Sequence, residues 1–178
     1  MQRPRFTSIL LLCISGLPAR VACSQPDTLH ILSGDSLYSF AVVYDPMFDQ
    51  EQFKRTGRYA MDTSKVAVIM DYKRGKPSGM FRAYYPNGTP LITAVYGYGS
   101  LHGDWTEYDE FGRITVKGQY ERGVRHGTWA FRKEGIVGNY RNGLKDGKWK
   151  YYDRDGRITR IEKYHKDVLV PGNTYRFP

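Results

Sequence analysis

The sequence predicts an all-β protein built of tandem β-hairpin repeats. Three observations carry that prediction. Glycine recurs at a near-constant period with an aromatic residue two positions after it. The segments between glycines alternate apolar and polar side chains with period two, the mark of a half-buried strand. Glycine also recurs too often for a long helix to survive, because each one weakens a helix interior.

Aligned on their first glycine, four units begin at Gly79, Gly103, Gly127 and Gly147. The intervals are 24, 24 and 20 residues (103−79, 127−103, 147−127). A fixed period in this range marks a stacked repeat architecture. The column two residues on holds Phe81, Trp105, Trp129 and Trp149, followed by Tyr84, Tyr108, Phe131 and Tyr152. Each unit turns at a second glycine: Gly88, Gly112, Gly135 and Gly156. Asn87-Gly88 and Asp155-Gly156 are strong hairpin dipeptides, since glycine takes the positive φ such turns need. The return strand ends in Tyr96, Tyr120, Tyr140 or Tyr164, and Gly99, Gly123 and Gly143 follow three residues after the first three. Tyr72 and Gly75 repeat that pair one unit earlier. Ile114, Val116, Gly118 and Tyr120 face one way, while Thr115, Lys117 and Gln119 face the other. The glycines at 88, 112, 123 and 143 read as backbone requirements, and Gly79, Gly103, Gly127 and Gly147 as structural positions with Trp105, Trp129 and Trp149.

The pattern Gly-x-Trp-x-x-Tyr, a turn glycine, then Tyr-x-x-Gly-x-x-x-Gly resembles the MORN repeat in its bacterial variant form. The resemblance covers roughly Val66 to Tyr164. It implies hairpins aligned into one elongated, twisted antiparallel sheet, and an interaction module involved in protein assembly or membrane contact. Some bacterial proteins of this variant are called antitoxins, which implies neutralisation of a toxin by direct binding as an alternative. Two departures stand out: the third unit is short, and Asp167 stands where the last unit's glycine is expected. These read as a kinked join and a terminal cap.

Ahead of the repeats, residues 1–24 have the layout of an export signal. Arg3 and Arg5 precede the apolar run from Ile9 to Ile14, and small residues follow at Ala22, Cys23 and Ser24. The apolar run is too short to span a bilayer. Cleavage after Ser24 is one reading; lipid attachment at Cys23 is the other, with Arg20 sitting where that signal usually has an apolar residue. Cys13 and Cys23 are the only cysteines, so no disulfide is expected in the mature chain. Residues 25–64 form an acidic segment with capping strands, six acids against three bases. Leu37 to Tyr44 reads as a strand and Asp49 to Arg55 as one or two helical turns. Gly57-Arg58-Tyr59 reads as the start of a degenerate unit with Tyr59 in the aromatic column. Residues 65–178 form the repeat domain with its C-terminal cap, carrying 21 bases and 12 acids, and Asn173 to Phe177 as a closing strand.

Candidate binding residues follow from that charge. Lys73, Arg74, Lys76, Arg122, Arg125, Arg141 and Lys145 cluster at the Tyr-x-x-Gly turns, which stacking brings to one side. Such a row reads either as a solvated guard against strand pairing or as a site for an anionic surface or acidic protein. Tyr85, Tyr98 and Tyr151 are expected to be exposed rings available for contact. His102 and His126 read as polar turn residues rather than metal ligands. Asp104, Glu107 and Asp109 read as solvated carboxylates. No phosphate loop or activated nucleophile has its signature here, and no cofactor or metal is expected. Nucleic acid is disfavoured as a partner, since an export signal leads away from it. The expected function is an exported, non-enzymatic module that binds a protein partner, itself or an anionic envelope surface. Glycan or cell-wall binding is the more distant alternative.

Overall fold

The computed structural model describes residues 27–33, 36–45 and 51–177. Among them the regular structure is one open antiparallel sheet whose strands follow the order of the chain. The strands are β1 (Asp27–Ser33), β2 (Ser36–Tyr44), β3 (Gln52–Tyr59), β4 (Asp62–Lys73), β5 (Lys76–Tyr84), β6 (Pro90–Gly97) and β7 (Ser100–Tyr108). They continue as β8 (Ile114–Glu121), β9 (Val124–Phe131), β10 (Ile136–Arg141), the two-residue β11 (Leu144–Lys145), β12 (Gly147–Tyr152), β13 (Ile158–His165) and β14 (Val168–Arg176). The all-β hairpin array expected from the glycine period is therefore the fold. Residues 1–24, read above as an export signal, and Cys23 among them lie outside the described residues.

Alternate connections fall on opposite sides of such a meander. One side carries two-residue turns: Arg74-Gly75, Tyr98-Gly99, Arg122-Gly123, Asn142-Gly143 and Lys166-Asp167. Both residues of every pair have positive φ, between 49° and 88°. That is the signature of the type I′ turn, whose twist matches the twist of the strands it joins. Asp167 makes the last of these turns without glycine. Its φ is 66°, and its Oδ1 accepts the Lys145 N–H at 2.7 Å. The other side carries longer turns. At Asp109 and Asp153 the carboxylate closes the loop by accepting backbone N–H groups two and four residues on.

The repeat glycines mark bulges. Met70 pairs with Phe81 and Tyr72 with Pro77, so Asp71 alone faces Ser78, Gly79 and Met80. The same shift occurs at Gly103, between Ala94↔Trp105 and Tyr96↔Leu101, and at Gly127, between Lys117↔Ala130 and Gln119↔His126. Gly79 and Gly103 have φ of 109° and 104°, outside the range that residues with a Cβ adopt readily. A bulge bends its strand and adds twist, so one per repeat coils the whole ribbon.

The third unit loses its four residues in two places. Trp129 to Gly135 is six positions where Trp105 to Gly112 is seven, and Gly135 to Tyr140 is five where Gly112 to Tyr120 is eight. The sheet continues through the join, with the strand interrupted at Asp146 between β11 and β12.

Two expectations for the first unit are corrected. Gln52 to Arg55 belong to β3 rather than a helical turn. Phe53 stacks on Tyr72 at 4.9 Å and 2°, and the Arg55 guanidinium lies 4.2 Å from the Tyr44 ring centre. These partners lie across the ladder, and tertiary pairing overrides a weak helical preference. Tyr59 is not in the aromatic column either. The residue there is Arg55, which pairs with Met70, which pairs with Phe81. Tyr59 sits at the strand end, where its hydroxyl donates to the Tyr84 carbonyl.

The core is an aromatic column interleaved with small residues. Ala94 pairs with both Phe81 and Trp105, Gly118 pairs with Trp105, and Gly138 pairs with Trp129. The Trp129 ring lies over Gly118 and the Trp149 ring over Gly138, so closely that a Cβ on either glycine would stand 2.2 Å from an indole atom. Trp105, Trp129 and Trp149 are all buried. Tyr120 and Tyr140 stand edge-on between successive tryptophans at 5.2–6.0 Å, the offset that ring quadrupoles favour.

Two glycine substitutions separate backbone from packing. Gly112 has φ of 77° and nothing within 4 Å of a would-be Cβ, so Gly112→Val should cost about 1–3 kcal/mol through backbone strain alone. Gly118→Ala should cost a similar ~1–3 kcal/mol through overpacking. In denaturation experiments the Gly118→Ala penalty should shrink when Trp129→Phe is present, and the Gly112→Val penalty should not. Equal penalties in both backgrounds would contradict the ring-over-glycine packing.

Candidate interaction surface

Two residues before each repeat glycine stand Pro77, Leu101, Arg125 and Lys145. Their carbonyls accept the N–H of Gly99, Gly123, Gly143 and Asp167, at the tip of the next hairpin, at 2.8–3.0 Å. The backbone of this column is thereby fixed beside the aromatic column. The Arg125 guanidinium lies 4.5 Å from the Trp129 ring centre and donates to the Tyr140 hydroxyl at 3.2 Å. Lys145 Nζ lies 4.2 Å from the Trp149 ring centre and 4.9 Å from that of Tyr164. These cations cover the tryptophans, so a glycine lies beneath the ring and a charge above it. Gly57, Tyr44 and Arg55 repeat the sandwich near the N-terminal end.

The seven candidate basic residues therefore divide. Arg125 and Lys145 are half-buried against rings. Burial lowers the Lys145 pKa, partly countered by Glu162 and Asp167. Lys73, Arg74, Lys76, Arg122 and Arg141 are exposed at the two-residue turns. Arg74 pairs with Glu51 at 3.0 Å and Arg141 with Asp146 at 2.9 Å. Lys166 belongs to the same row by position.

The candidate aromatic contacts also divide. Tyr98 is 93% exposed and occupies a turn position with φ of 52°. Tyr85 is 4% exposed, contrary to the expectation of an open ring. Its hydroxyl donates to the Tyr108 carbonyl at 2.9 Å and its ring meets Tyr38 edge-on. It stands where the other units have Asp109 and Asp153, so a side chain reaching the next unit replaces a local turn closure. Tyr151 is half-buried, donating to Glu162 Oε2 at 2.6 Å beneath the Arg160 guanidinium at 3.9 Å. Residues not singled out from the sequence join the row of two-residue turns: Val124, Leu144 and Val168 are exposed and follow turn glycines or their equivalent. Exposed apolar residues at one register position were visible in the alignment, but which side they faced was not.

The carboxylates differ from expectation too. Glu107 is buried and accepts the Trp105 indole N–H at 2.9 Å. Asp109 is a turn-closing group. Desolvation raises its pKa, but hydrogen bonds from Arg113 and Phe111 outweigh this and hold it low. Asp104 accepts from Gln119 at the surface. On the long-turn side a groove of about 640 Å³ opens between Tyr38, Phe111 and Arg132, with Glu107 in its lining. His126 pairs with Glu121 at 3.2 Å. Among the described residues no three His, Cys, Asp or Glu side chains converge as a metal site.

A solenoid-like ribbon whose two rows of turns are its accessible margins defines a β-hairpin repeat protein, a class commonly built for interaction. The family model for the MORN repeat variant matches residues 101–122 and 145–166. The two stretches run in the same frame, from the column that covers the tryptophans to the type I′ turn, and the unit between them is the shortened one. The chain carries repeats of the MORN variant in these two stretches. No curated protein matches it.

The division of cations has a direct test. Arg125→Glu and Lys145→Glu should each lower stability by about 0.5–2 kcal/mol, the range of a cation over an aromatic face. Lys76→Glu and Arg122→Glu should leave the melting temperature nearly unchanged. A second expectation concerns acid. Burial works to raise the Glu162 pKa, but hydrogen bonds from Tyr151 and Tyr164 and the charges of Arg160 and Lys145 outweigh it, and the net shift is downward. A depressed folded pKa contributes stability that is full above the unfolded value of roughly 4.3 and lost as pH falls through the folded value. Glu162→Gln should therefore flatten the acid limb of a stability–pH curve and leave its neutral-to-alkaline shape unaltered.

Proposed function

We propose that this chain is an exported, non-enzymatic interaction module of the bacterial envelope that binds an acidic protein partner along its row of two-residue turns. The observation that carries this reading is Tyr98. A large ring held almost fully in solvent, at a backbone conformation that residues other than glycine rarely adopt, has no packing role to account for it. It stands in a row with Arg74, Arg122 and Lys166 at equivalent turn positions. Exposed tyrosine and arginine are the residue types that dominate binding energy at protein interfaces. The cations beside them would steer an acidic partner over a Debye length of about 8 Å at physiological salt. The excess of positive charge lies in the repeat half of the sequence, which supports the repeats as the part that meets an acidic partner. The apolar run at residues 9–14 and the small residues at 22–24 support export.

The test uses crosslinking in cells followed by identification of captured proteins. Lys76→Glu with Arg122→Glu should abolish capture of acidic partners while the fold survives, and Tyr98→Ser should weaken it at every salt concentration. Rim charges act chiefly on association rate and salt sensitivity, so milder single reversals should matter most at low salt. Intact mass of the envelope form should show a chain beginning after Ser24 or a lipid-bearing Cys23. Capture that survives both the charge reversal and Tyr98→Ser would refute this surface, and a cytoplasmic chain still starting at Met1 would refute export.

A further inference from the structure

Six rings form one unbroken line through the sheet: Trp105, Tyr120, Trp129, Tyr140, Trp149 and Tyr164. Consecutive centroids lie 5.4, 5.2, 6.0, 5.2 and 6.1 Å apart. Indole and phenol are the aromatic side chains that most readily give up a single electron. Rings this close pass that electron hole between them. What varies along the line is the fate of the proton. A phenol loses its proton when it is oxidised, so a tyrosine whose hydroxyl meets a base is the easier one to oxidise.

The Tyr120 and Tyr140 hydroxyls meet the Arg125 guanidinium, a donor that accepts no proton. At the C-terminal end the chemistry reverses. Tyr164 donates to Glu162 Oε2 at 2.9 Å, and Tyr151 donates to the same oxygen at 2.6 Å. Arg160 Nε lies 3.3 Å from Glu162 Oε1 and helps to keep the group a carboxylate. Tyr151 and Tyr164 are half-buried, so solvent reaches this end. At the other end the Trp105 indole N–H also meets a carboxylate, Glu107, but both side chains there are buried away from dissolved reductants.

We propose that the ladder conducts one-electron oxidation from its buried tryptophans to the Tyr151–Tyr164 pair, with Glu162 as the proton acceptor. A one-electron oxidant takes an electron from an indole and is reduced by one. The resulting radical cation, disfavoured beneath the Arg125 and Lys145 charges, is refilled from the next tryptophan, with the tyrosine between them a bridge rather than a stop. At the end, an electron leaves Tyr164 for Trp149 while the phenolic proton moves from Oη to Glu162 Oε2. The products are a neutral tyrosyl radical and a carboxylic acid, and no bond between heavier atoms changes. A thiol reductant returns a hydrogen atom to the phenoxyl oxygen, leaving a thiyl radical, and Glu162 releases its proton to solvent. The device would carry oxidative damage out of the core to a place where it can be repaired.

Photogenerated tris(bipyridine)ruthenium(III) supplies the oxidant, and electron paramagnetic resonance on frozen samples reads the radical. Exposed tyrosines are silenced beforehand by Tyr98→Phe and Tyr175→Phe, which act on side chains outside the ladder. The expected result is a neutral tyrosyl signal. It should be lost in the added Tyr151→Phe/Tyr164→Phe pair and replaced by a tryptophanyl signal in Glu162→Gln. Trp149→Phe should reduce the tyrosyl yield by removing the last indole before the pair. These variants keep a ring or the side-chain shape, and near-UV circular dichroism confirms the packing of each. If Glu162→Gln and the Tyr151→Phe/Tyr164→Phe pair both retain the tyrosyl signal, the hole does not end at this pair and the proposal fails. A radical that stays on tryptophan in the otherwise intact ladder overturns it equally.

Discussion

The Trp129 ring lies over the backbone of Gly118, and the Trp149 ring lies over that of Gly138. A single layer of strands has no second layer to bury its apolar face against. The tryptophans meet that need within the layer, because a neighbouring strand without a Cβ leaves room for a ring to lie across it. Removing a large flat surface from water is the main stabilising term available to such a thin protein. Edge-on tyrosines fill the gaps along the line, and Arg125 and Lys145 cover the remaining ring faces.

The bulge at each repeat glycine makes that contact recur. Three residues opposite one, as at Asp71 against Ser78, Gly79 and Met80, bend every second strand in the same sense. The carbonyl two residues before the glycine then meets the tip of the next hairpin. A unit is thus tied to its successor by ring packing on one side and by a backbone hydrogen bond at the turn. Neighbour-to-neighbour ties of this kind are what let a repeat array absorb a shortened unit without losing its sheet.

The two margins of the ribbon differ in what holds them. On the long-turn side, Asp109 and Asp153 close their own loops, and Tyr59 and Tyr85 reach across to the next unit. That side is occupied with its own structure. On the short-turn side the type I′ backbone closes each turn, so the side chain at the first turn position is not needed to close it. Arginine, tyrosine, asparagine and lysine all occupy the same position there. Side-chain variety at a fixed backbone position is what a binding surface requires.

The sequence by itself determined the hairpin array. Glycine at a 24-residue period, a constant aromatic column and strict alternation depend only on local backbone geometry and on the period of a strand. The turn glycines were legible for the same reason, and Asp167 in place of a glycine still makes the same turn. Register and cover were decided by the tertiary structure. Tyr59 looked like a member of the aromatic column until pairing put Arg55 there. Gln52 to Arg55 became strand because their partners were Tyr72 and Tyr44, residues distant in sequence. Arg125 and Lys145 share a basic composition with Arg122 and Arg141, yet the bulge at Gly127 and the strand break at Asp146 accompany a placement of the first pair over tryptophan rings, while the second pair stays in water. Tyr85 and Glu107 went inside, and Glu162 became half-buried, through contacts with residues on neighbouring strands and turns. Burial of a side chain depends on which strand lies opposite and on how many residues a bulge inserts, and neither quantity is local to the residue concerned.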